Sequence, residues 1–275
     1  MGLARFEVRR REVLLSGLRG GRRGSTVLLL HGLAGSAQEM APTASALLDD
    51  HRVIALDQRG HGHSTRRPAD LSRPAFVDDV LAVIDEFAAP EAVTLVGQSM
   101  GAQTAMLAAA ARPDLVRGLV MLEGGVGGSD DDYPARLGEW FRSWPVPFAD
   151  ERAAIDFLGG TPMAVAWAAD LAVREGGLWP RFDADVMETA IRGVAASARW
   201  DAWAAVTAPT LLVRGDRGNV GADELSRMIE LRPGVDQAVI GDAGHDAHLD
   251  QPAAWQAILR NFLDCGPGDR DPDLG

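Results

Sequence analysis

A serine between two glycines, in the segment Gly-Gln-Ser-Met-Gly at residues 97–101, constrains this chain most. It follows the apolar run 93–96, which is typical of a buried strand, and precedes an alanine-rich helical stretch. Such a turn is tight, so bulky side chains on either side of the serine would clash with the strand and the helix. The pattern predicts Ser99 as an exposed nucleophile at a helix N-terminus, with the Met100 amide directed at a developing oxyanion.

Short apolar runs alternate with segments of helical spacing through the first half of the chain. This alternation predicts an α/β fold, a mostly parallel sheet with helices on both faces. Ser72 is a predicted N-cap of the second helix. The predicted strands are 27–30, 53–56, 93–96 and 119–122, and the predicted helices are 37–48, 73–87 and 103–111.

The alternation stops after Glu123, where a polar, glycine-rich segment begins. The stretch that follows has helical spacing and holds six of the seven tryptophans, and strands are predicted again at 209–213 and 235–240, before a closing helix at 252–262. These changes predict a sheet domain interrupted by a helical cap. The predicted parts are a core of residues 1–125 and 205–265, a cap of 126–204 and a disordered tail of 266–275.

Charge and composition exclude several classes of protein. The chain carries 27 basic and 39 acidic residues, a net charge of −12, which disfavours nucleic acid and anionic membrane surfaces as partners. Cys265 is the only cysteine, so neither an internal disulfide nor a cysteine metal site is expected. The N-terminal stretch lacks the continuous apolar run that a signal peptide needs, and no later stretch is long enough to span a bilayer, so a cytoplasmic protein is expected. Neither a dinucleotide fingerprint nor a phosphate loop appears, so the expected partner is a small-molecule substrate, without cofactor or metal. It makes no prediction of oligomeric state.

Three further motifs accompany the serine turn: HGLAGS at 31–36, DQRGHGHS at 57–64 and GHDAHLDQP at 244–252. Together they make the chain resemble the α/β-hydrolase superfamily over nearly its full length. The first motif follows a predicted strand, where the Leu33 amide is a candidate second oxyanion donor. The resemblance implies that His245 is the catalytic base, with His248 as the competing histidine. In the motif at 57–64, Asp57, His61 and His63 are expected to organise a turn, or in the case of either histidine to line a pocket, without binding a metal.

The third member of a Ser-His-acid triad departs from the usual pattern of this superfamily. Many members carry an aspartate three residues after the glycine that ends the strand at 211–215, but this chain has Gly218 there, and Asp216 comes two residues too early. Haloalkane dehalogenases and some lactonases carry the acid after the preceding core strand instead, and Glu123 occupies that position here. Glu123 is therefore the favoured acid, and Asp216 is the alternative.

A serine at the nucleophile position separates this chain from the dehalogenases and epoxide hydrolases it resembles, which use aspartate there. The predicted function is hydrolysis of an ester or lactone, with thioester, amide and C–C bonds left open, through an acyl-enzyme on Ser99. The alternatives are a cofactor-free lyase, cyclase or oxygenase on the same fold, and a receptor-like ligand-binding protein. Aromatic side chains of the predicted cap suggest a medium-sized apolar or aromatic substrate. The candidate pocket residues are Trp140, Trp179, Phe182 and His31.

Overall fold

The computed structural model describes residues 2–264, so Cys265 and the predicted tail at 266–275 lie outside it. Eight strands form one sheet, in the spatial order β1-β2-β4-β3-β5-β6-β9-β10. Strand β2 runs antiparallel to both of its neighbours, and the remaining pairs are parallel. The strands, with the separate hairpin β7–β8, are β1 (Ala4–Arg10), β2 (Val13–Gly20), β3 (Thr26–Leu30), β4 (Arg52–Asp57), β5 (Val93–Gln98), β6 (Val116–Leu122), β7 (Ala172–Arg174), β8 (Gly177–Trp179), β9 (Thr210–Gly215) and β10 (Asp236–Ile240).

The predicted α/β fold class is confirmed, and the central strands lie where the apolar runs place them. Strands β3 and β5 are buried along their whole length, as expected for strands covered by helices on both faces. Strands β1 and β2 were not predicted. Strand β1 lies at the edge of the sheet with most of its residues at least partly exposed, so it lacks the continuous apolar run that identified the others.

Helices cover both faces of the sheet, and the sheet separates two apolar layers. One layer contains Val80 of α2, Ala105 of α3 and Trp203 of α8, and the other contains Leu47 of α1 and Trp255 of α11. The helices are α1 (Ala41–Leu47), α2 (Arg73–Phe87), α3 (Met100–Ala111), α4 (Tyr133–Arg142), α5 (Glu151–Phe157), α6 (Pro162–Ala169), α7 (Ala184–Ala195), α8 (Trp200–Ala205), α9 (Ala222–Leu231), α10 (Ala247–Asp250) and α11 (Pro252–Asp264).

Helix α2 has the predicted bounds, with Ser72 at its N-cap position. The Ser72 side chain makes no capping hydrogen bond there, so the residue marks the start of the helix without satisfying its free amides through its hydroxyl. No helix within residues 2–264 is both long and apolar enough to cross a membrane.

The segment between β6 and β9, here called the insert (residues 126–204), has an apolar cluster of its own. Phe141, Trp144, Phe148 and Phe182 pack together in it, with Ala34 from the loop after β3. The insert therefore rests on the loop that carries the predicted oxyanion donor Leu33. Helices α4 to α7 build most of it, but the hairpin β7–β8 was not predicted, because its two strands have only three residues each. The division into core and cap at residues 125 and 205 stays a prediction.

Candidate active site

Ser99 lies at the sharp turn between β5 and α3, at the carboxyl edge of the sheet. Its backbone has φ 52° and ψ −116°, a conformation that is strained for a residue with a side chain. The glycines on either side permit the turn, because a Cβ at Gly97 would overlap the Gly101 carbonyl and a Cβ at Gly101 would overlap the Leu30 carbonyl. Close packing of strand, turn and helix therefore holds the serine at the N-terminus of α3.

His245 lies in the loop between β10 and α10, with its ring against Glu123. The Nδ1 atom of His245 is 3.3 Å from Oε2 of Glu123, whose side chain has no exposed surface. Two backbone amides fix the carboxylate: Gly215 donates to Oε1 at 2.8 Å and Asn219 donates to Oε2 at 2.7 Å. Glu123 itself has a φ of 47°, so the loop holds it in an unfavourable backbone conformation. The arrangement fixes the imidazole as a triad acid would.

At residue 218, where many superfamily members carry the acid, the carboxylate of Glu123 occupies the space for a side chain. A Cβ at Gly218 would overlap the carboxylate of Glu123, so a side chain at residue 218 and the observed Glu123 conformer exclude each other. Asp216, the alternative acid, is turned away: its oxygens accept hydrogen bonds from the amides of Asp242 and Ala243, at 3.0 and 3.1 Å, and its side chain is 44% exposed. The structure thus brings Glu123, and not Asp216, to His245.

The serine turn and the His245–Glu123 pair are joined by direct contacts. The Ser99 amide donates to the Leu122 carbonyl at 2.9 Å, one residue before Glu123. The Gln98 side chain donates from Nε2 to the His245 carbonyl at 3.1 Å. Residues 98 and 99 therefore contact both the strand that ends at the acid and the loop that carries the base, which places the three predicted catalytic residues in one region.

The electrostatic surroundings of His245 favour its protonated form. Burial opposes protonation, but the hydrogen bond that His245 donates to Glu123 and the negative charges of Asp246, Glu123 and Glu39 outweigh it, so the pKa of His245 lies above its ordinary value. A histidine with a raised pKa accepts a proton more readily. This property suits a general base that must become an imidazolium during the reaction.

The two predicted oxyanion donors flank the serine. Met100 is the first residue of α3, so its amide has no acceptor within the helix. Leu33 lies in the turn after β3, and the backbone there passes close to the nucleophile: a Cβ at Gly32 would lie 3.3 Å from Cβ of Ser99. Both residues therefore lie close to Ser99 in the backbone, Leu33 in the loop after β3 and Met100 on α3, and their role as oxyanion donors stays a prediction.

His31 was predicted to line the pocket, but its ring is fully buried and has both nitrogens occupied by backbone. Its Nδ1 donates to the Gly32 carbonyl at 2.7 Å, and its Nε2 accepts from the Gln58 amide at 3.0 Å. The ring supports the loop after β3 instead of offering a polar atom to a substrate. The ring nitrogens of His31 therefore do not face a pocket, and the pocket prediction is wrong in this respect. The position of a residue in the sequence does not by itself give the direction of its side chain.

The motif at 57–64 organises a turn, through Asp57 in particular. The Asp57 carboxylate accepts hydrogen bonds from the amides of Ala37 and His63, at 2.7 and 3.1 Å. His61 is fully buried and donates from Nδ1 to the Arg59 carbonyl at 2.9 Å. Burial, together with the neighbouring positive groups, lowers the pKa of His61 to about 3. Within residues 2–264 no group of three or more acidic, histidine or cysteine side chains is arranged to hold a metal ion.

The three predicted aromatic pocket residues have different environments. Phe182 is buried, and its ring packs edge-on against Phe141 at 5.0 Å. Trp140 is 39% exposed at the surface of the same aromatic cluster. Trp179 lies on the hairpin strand β8, where its indole nitrogen donates to the Glu175 carbonyl at 3.2 Å. Phe182 therefore packs in the interior of the insert, whereas Trp179 is tied to its own hairpin.

A buried carboxylate next to the site was not predicted. Glu39 follows the HGLAGS motif, and its Oε1 accepts a hydrogen bond from Nε2 of His248 at 3.1 Å. Its Oε2 accepts one from the indole nitrogen of Trp167 at 2.8 Å. His248 thus pairs with Glu39 and not with Glu123. The only sequence signal was the pair of histidines at 245 and 248, which left their partners undefined.

Comparison with known proteins identifies the family of this chain. Residues 25–252 match the family model described as alpha/beta hydrolase fold. The chain is 30% identical to 2-(acetamidomethylene)succinate hydrolase of Mesorhizobium japonicum, over 88% of this chain and 89% of that protein. It is also 30% identical to an esterase of Mycobacterium tuberculosis, over 91% of this chain and 86% of that protein.

A solved structure is similar over nearly the whole chain. The crystal structure of E-2-(acetamidomethylene)succinate hydrolase superposes with a TM-score of 0.87 at 27% identity, covering 96% of this chain and all of that one. The resemblance predicted from the four motifs is confirmed, and the relatives are hydrolases and esterases. The chain therefore belongs to the family of proteins with the alpha/beta hydrolase fold.

Proposed function

We propose that this protein is a serine hydrolase in which Ser99 is the nucleophile, His245 the general base and Glu123 the acid. The contact between His245 Nδ1 and the doubly hydrogen-bonded carboxylate of Glu123, next to the strained serine turn, carries the proposal. Relatives over nearly the full length of the chain are named as a hydrolase and an esterase, which supports the same class of reaction.

The reaction proceeds in two halves. Ser99 Oγ attacks the carbonyl carbon of the substrate while His245 takes the hydroxyl proton, and the oxyanion accepts hydrogen bonds from the amides of Leu33 and Met100. His245 then gives the proton to the leaving group, which departs as an alcohol or amine and leaves an acyl-enzyme. Water, deprotonated by His245, attacks the acyl carbon, and the proton returns to Ser99 as the carboxylic acid leaves. Glu123 stays ionised and stabilises the imidazolium.

The surroundings of the serine favour an apolar or aromatic acyl group. Met100 packs with Phe76 of α2 and Ala190 of α7, and Leu33 contacts the same cluster. The partly exposed residues that cover this buried cluster are Leu33, Leu71 and Val194, so the side chains nearest the predicted oxyanion donors are apolar and come in part from the insert. An ester or lactone of medium size would bury its hydrocarbon part there.

Hydrolysis of p-nitrophenyl esters of increasing acyl length, and of aromatic and aliphatic lactones, tests this proposal. We expect turnover by the wild type and its loss in Ser99→Ala, together with loss of covalent labelling by a fluorophosphonate probe. Asp216→Asn is the matched control, since it alters a strand-end carboxylate that does not contact His245. A panel without turnover, or activity retained in Ser99→Ala, would contradict the proposal and favour non-hydrolytic chemistry or ligand binding.

A further inference from the structure

We propose that Glu39 is a positioning residue: its buried carboxylate fixes both the insert and the loop of the base against the loop of the oxyanion donors. The inference rests on the proposed function, because it assigns His245 the role of base. It concerns a carboxylate that contacts neither the nucleophile nor the acid, and it gives Trp167 and His248 defined roles.

The geometry brings three separate parts of the chain to one carboxylate. Glu39 lies three residues after the HGLAGS motif, and its amide donates to Ser36 Oγ of that motif at 3.4 Å. Trp167, on α6, donates its indole N–H to Oε2, and His248, on α10, donates from Nε2 to Oε1. The side chains of Glu39 and His248 are 4% and 1% exposed. Hydrogen bonds to a buried charged acceptor are stronger than neutral ones, so this carboxylate holds its partners firmly.

The charge on Glu39 is maintained by its partners. Burial alone would raise the pKa of Glu39, but the hydrogen bond and positive potential of His248, with contributions from His31 and Trp167, lower it below its ordinary value. The group is therefore an anion at neutral pH. The charged groups that act on His245 are Asp246, Glu123 and Glu39, all of which favour the imidazolium. Only Glu39 among them also holds the insert.

A Glu39→Gln substitution separates charge from shape. The side-chain oxygen of the glutamine can still accept from Trp167. Its NH₂ group can donate to Nε2 of His248 if His248 carries its proton on Nδ1 instead. The Nδ1 atom is buried and has no hydrogen-bond partner within residues 2–264. The variant therefore keeps a hydrogen-bonding group for each partner while losing the negative charge. A merely structural role would leave the titration of His245 unchanged in this variant.

The first experiment is an NMR titration of the histidine rings in the wild type and in Glu39→Gln, with His245→Gln to assign the signal. We expect the pKa of His245 to fall in Glu39→Gln, since Glu39 is one of the negative charges that favour the imidazolium. An unchanged pKa of His245 would overturn the electrostatic part of the role. The measurement needs no substrate, so it remains decisive even if the hydrolase assignment fails in the ester panel.

The second experiment tests the tie to the insert by amide hydrogen exchange in α6. Trp167→Phe removes the indole donor, and we expect exchange of the α6 amides to accelerate about tenfold. Trp144→Phe is the matched control: Trp144 packs 5.9 Å from Trp167, but its indole nitrogen has no hydrogen-bond partner within residues 2–264. Equal exchange of α6 in the two variants would overturn the positioning role. This comparison also tests the inference if Glu39→Gln fails to fold.

Discussion

Replacing Glu123 with glutamine tests the assignment of the catalytic acid most directly. The substitution preserves the size of the side chain and removes its charge. If the glutamine oxygen takes the place of Oε2, it still accepts from Asn219 and His245, but its NH₂ group then faces the Gly215 amide, which is also a donor. In the opposite orientation the NH₂ group faces His245 and favours the wrong tautomer. Neither orientation reproduces the wild-type contacts.

The size of the effect follows from the distance between the two groups. At 3.3 Å and an effective dielectric constant of about 20, the attraction between imidazolium and carboxylate is about 5 kcal/mol. His245 is 32% exposed, so screening by solvent reduces this to roughly half. A loss of about 2–3 kcal/mol of transition-state stabilisation corresponds to about a 10²-fold fall in kcat. The wrong tautomer would extend the loss to about 10⁴-fold.

The assay is steady-state hydrolysis of the best ester found in the panel, with Asp216→Asn measured in parallel. We expect Asp216→Asn to keep kcat within a few-fold of the wild type, because the Asp216 carboxylate accepts hydrogen bonds from loop amides and pairs with the adjacent Arg217, away from His245. Circular dichroism confirms that each variant is folded. Near-normal turnover in Glu123→Gln together with a large loss in Asp216→Asn would refute the assignment.

Three further predictions follow from the same contacts. Gly218→Ala should lower kcat and destabilise the protein by about 1–3 kcal/mol, measured by urea unfolding, because the new Cβ overlaps the Glu123 carboxylate; unchanged stability and turnover would contradict this. The acid limb of kcat/KM should lie above pH 6.5, since His245 must be neutral to act as base and its pKa is raised above that value; a limb below pH 6.5 would rule it out. His61 should stay neutral in the folded protein down to about pH 3, so between that pH and about 6.5 the unfolded state binds more protons than the folded state. The free energy of unfolding should therefore fall by up to about 1.4 kcal/mol per pH unit as the pH is lowered through this range. The His61→Gln variant should show a smaller pH dependence in urea unfolding, and an equal dependence would disprove the role of His61.

Some parts of the sheet and of the site can be predicted from local sequence patterns, and others cannot. Central strands such as β3 and β5 are predictable because burial on both faces requires a continuous apolar run. The edge strand β1 has no such requirement and carries no such signal. The turn at Ser99 is equally local, since glycines at 97 and 101 are needed for any side chain between them to adopt this conformation.

The sequence by itself determined the fold class, the serine turn and the candidate histidine, because each depends on residues that are neighbours along the chain. Tertiary structure decided which acid reaches His245, since Glu123 and Asp216 end adjacent strands and only the path of the loop through Gly218 selects between them. It also decided the partner of His248, which is Glu39, more than 200 residues away along the chain. Contacts of this kind depend on loop conformation and side-chain direction, which local sequence patterns do not encode.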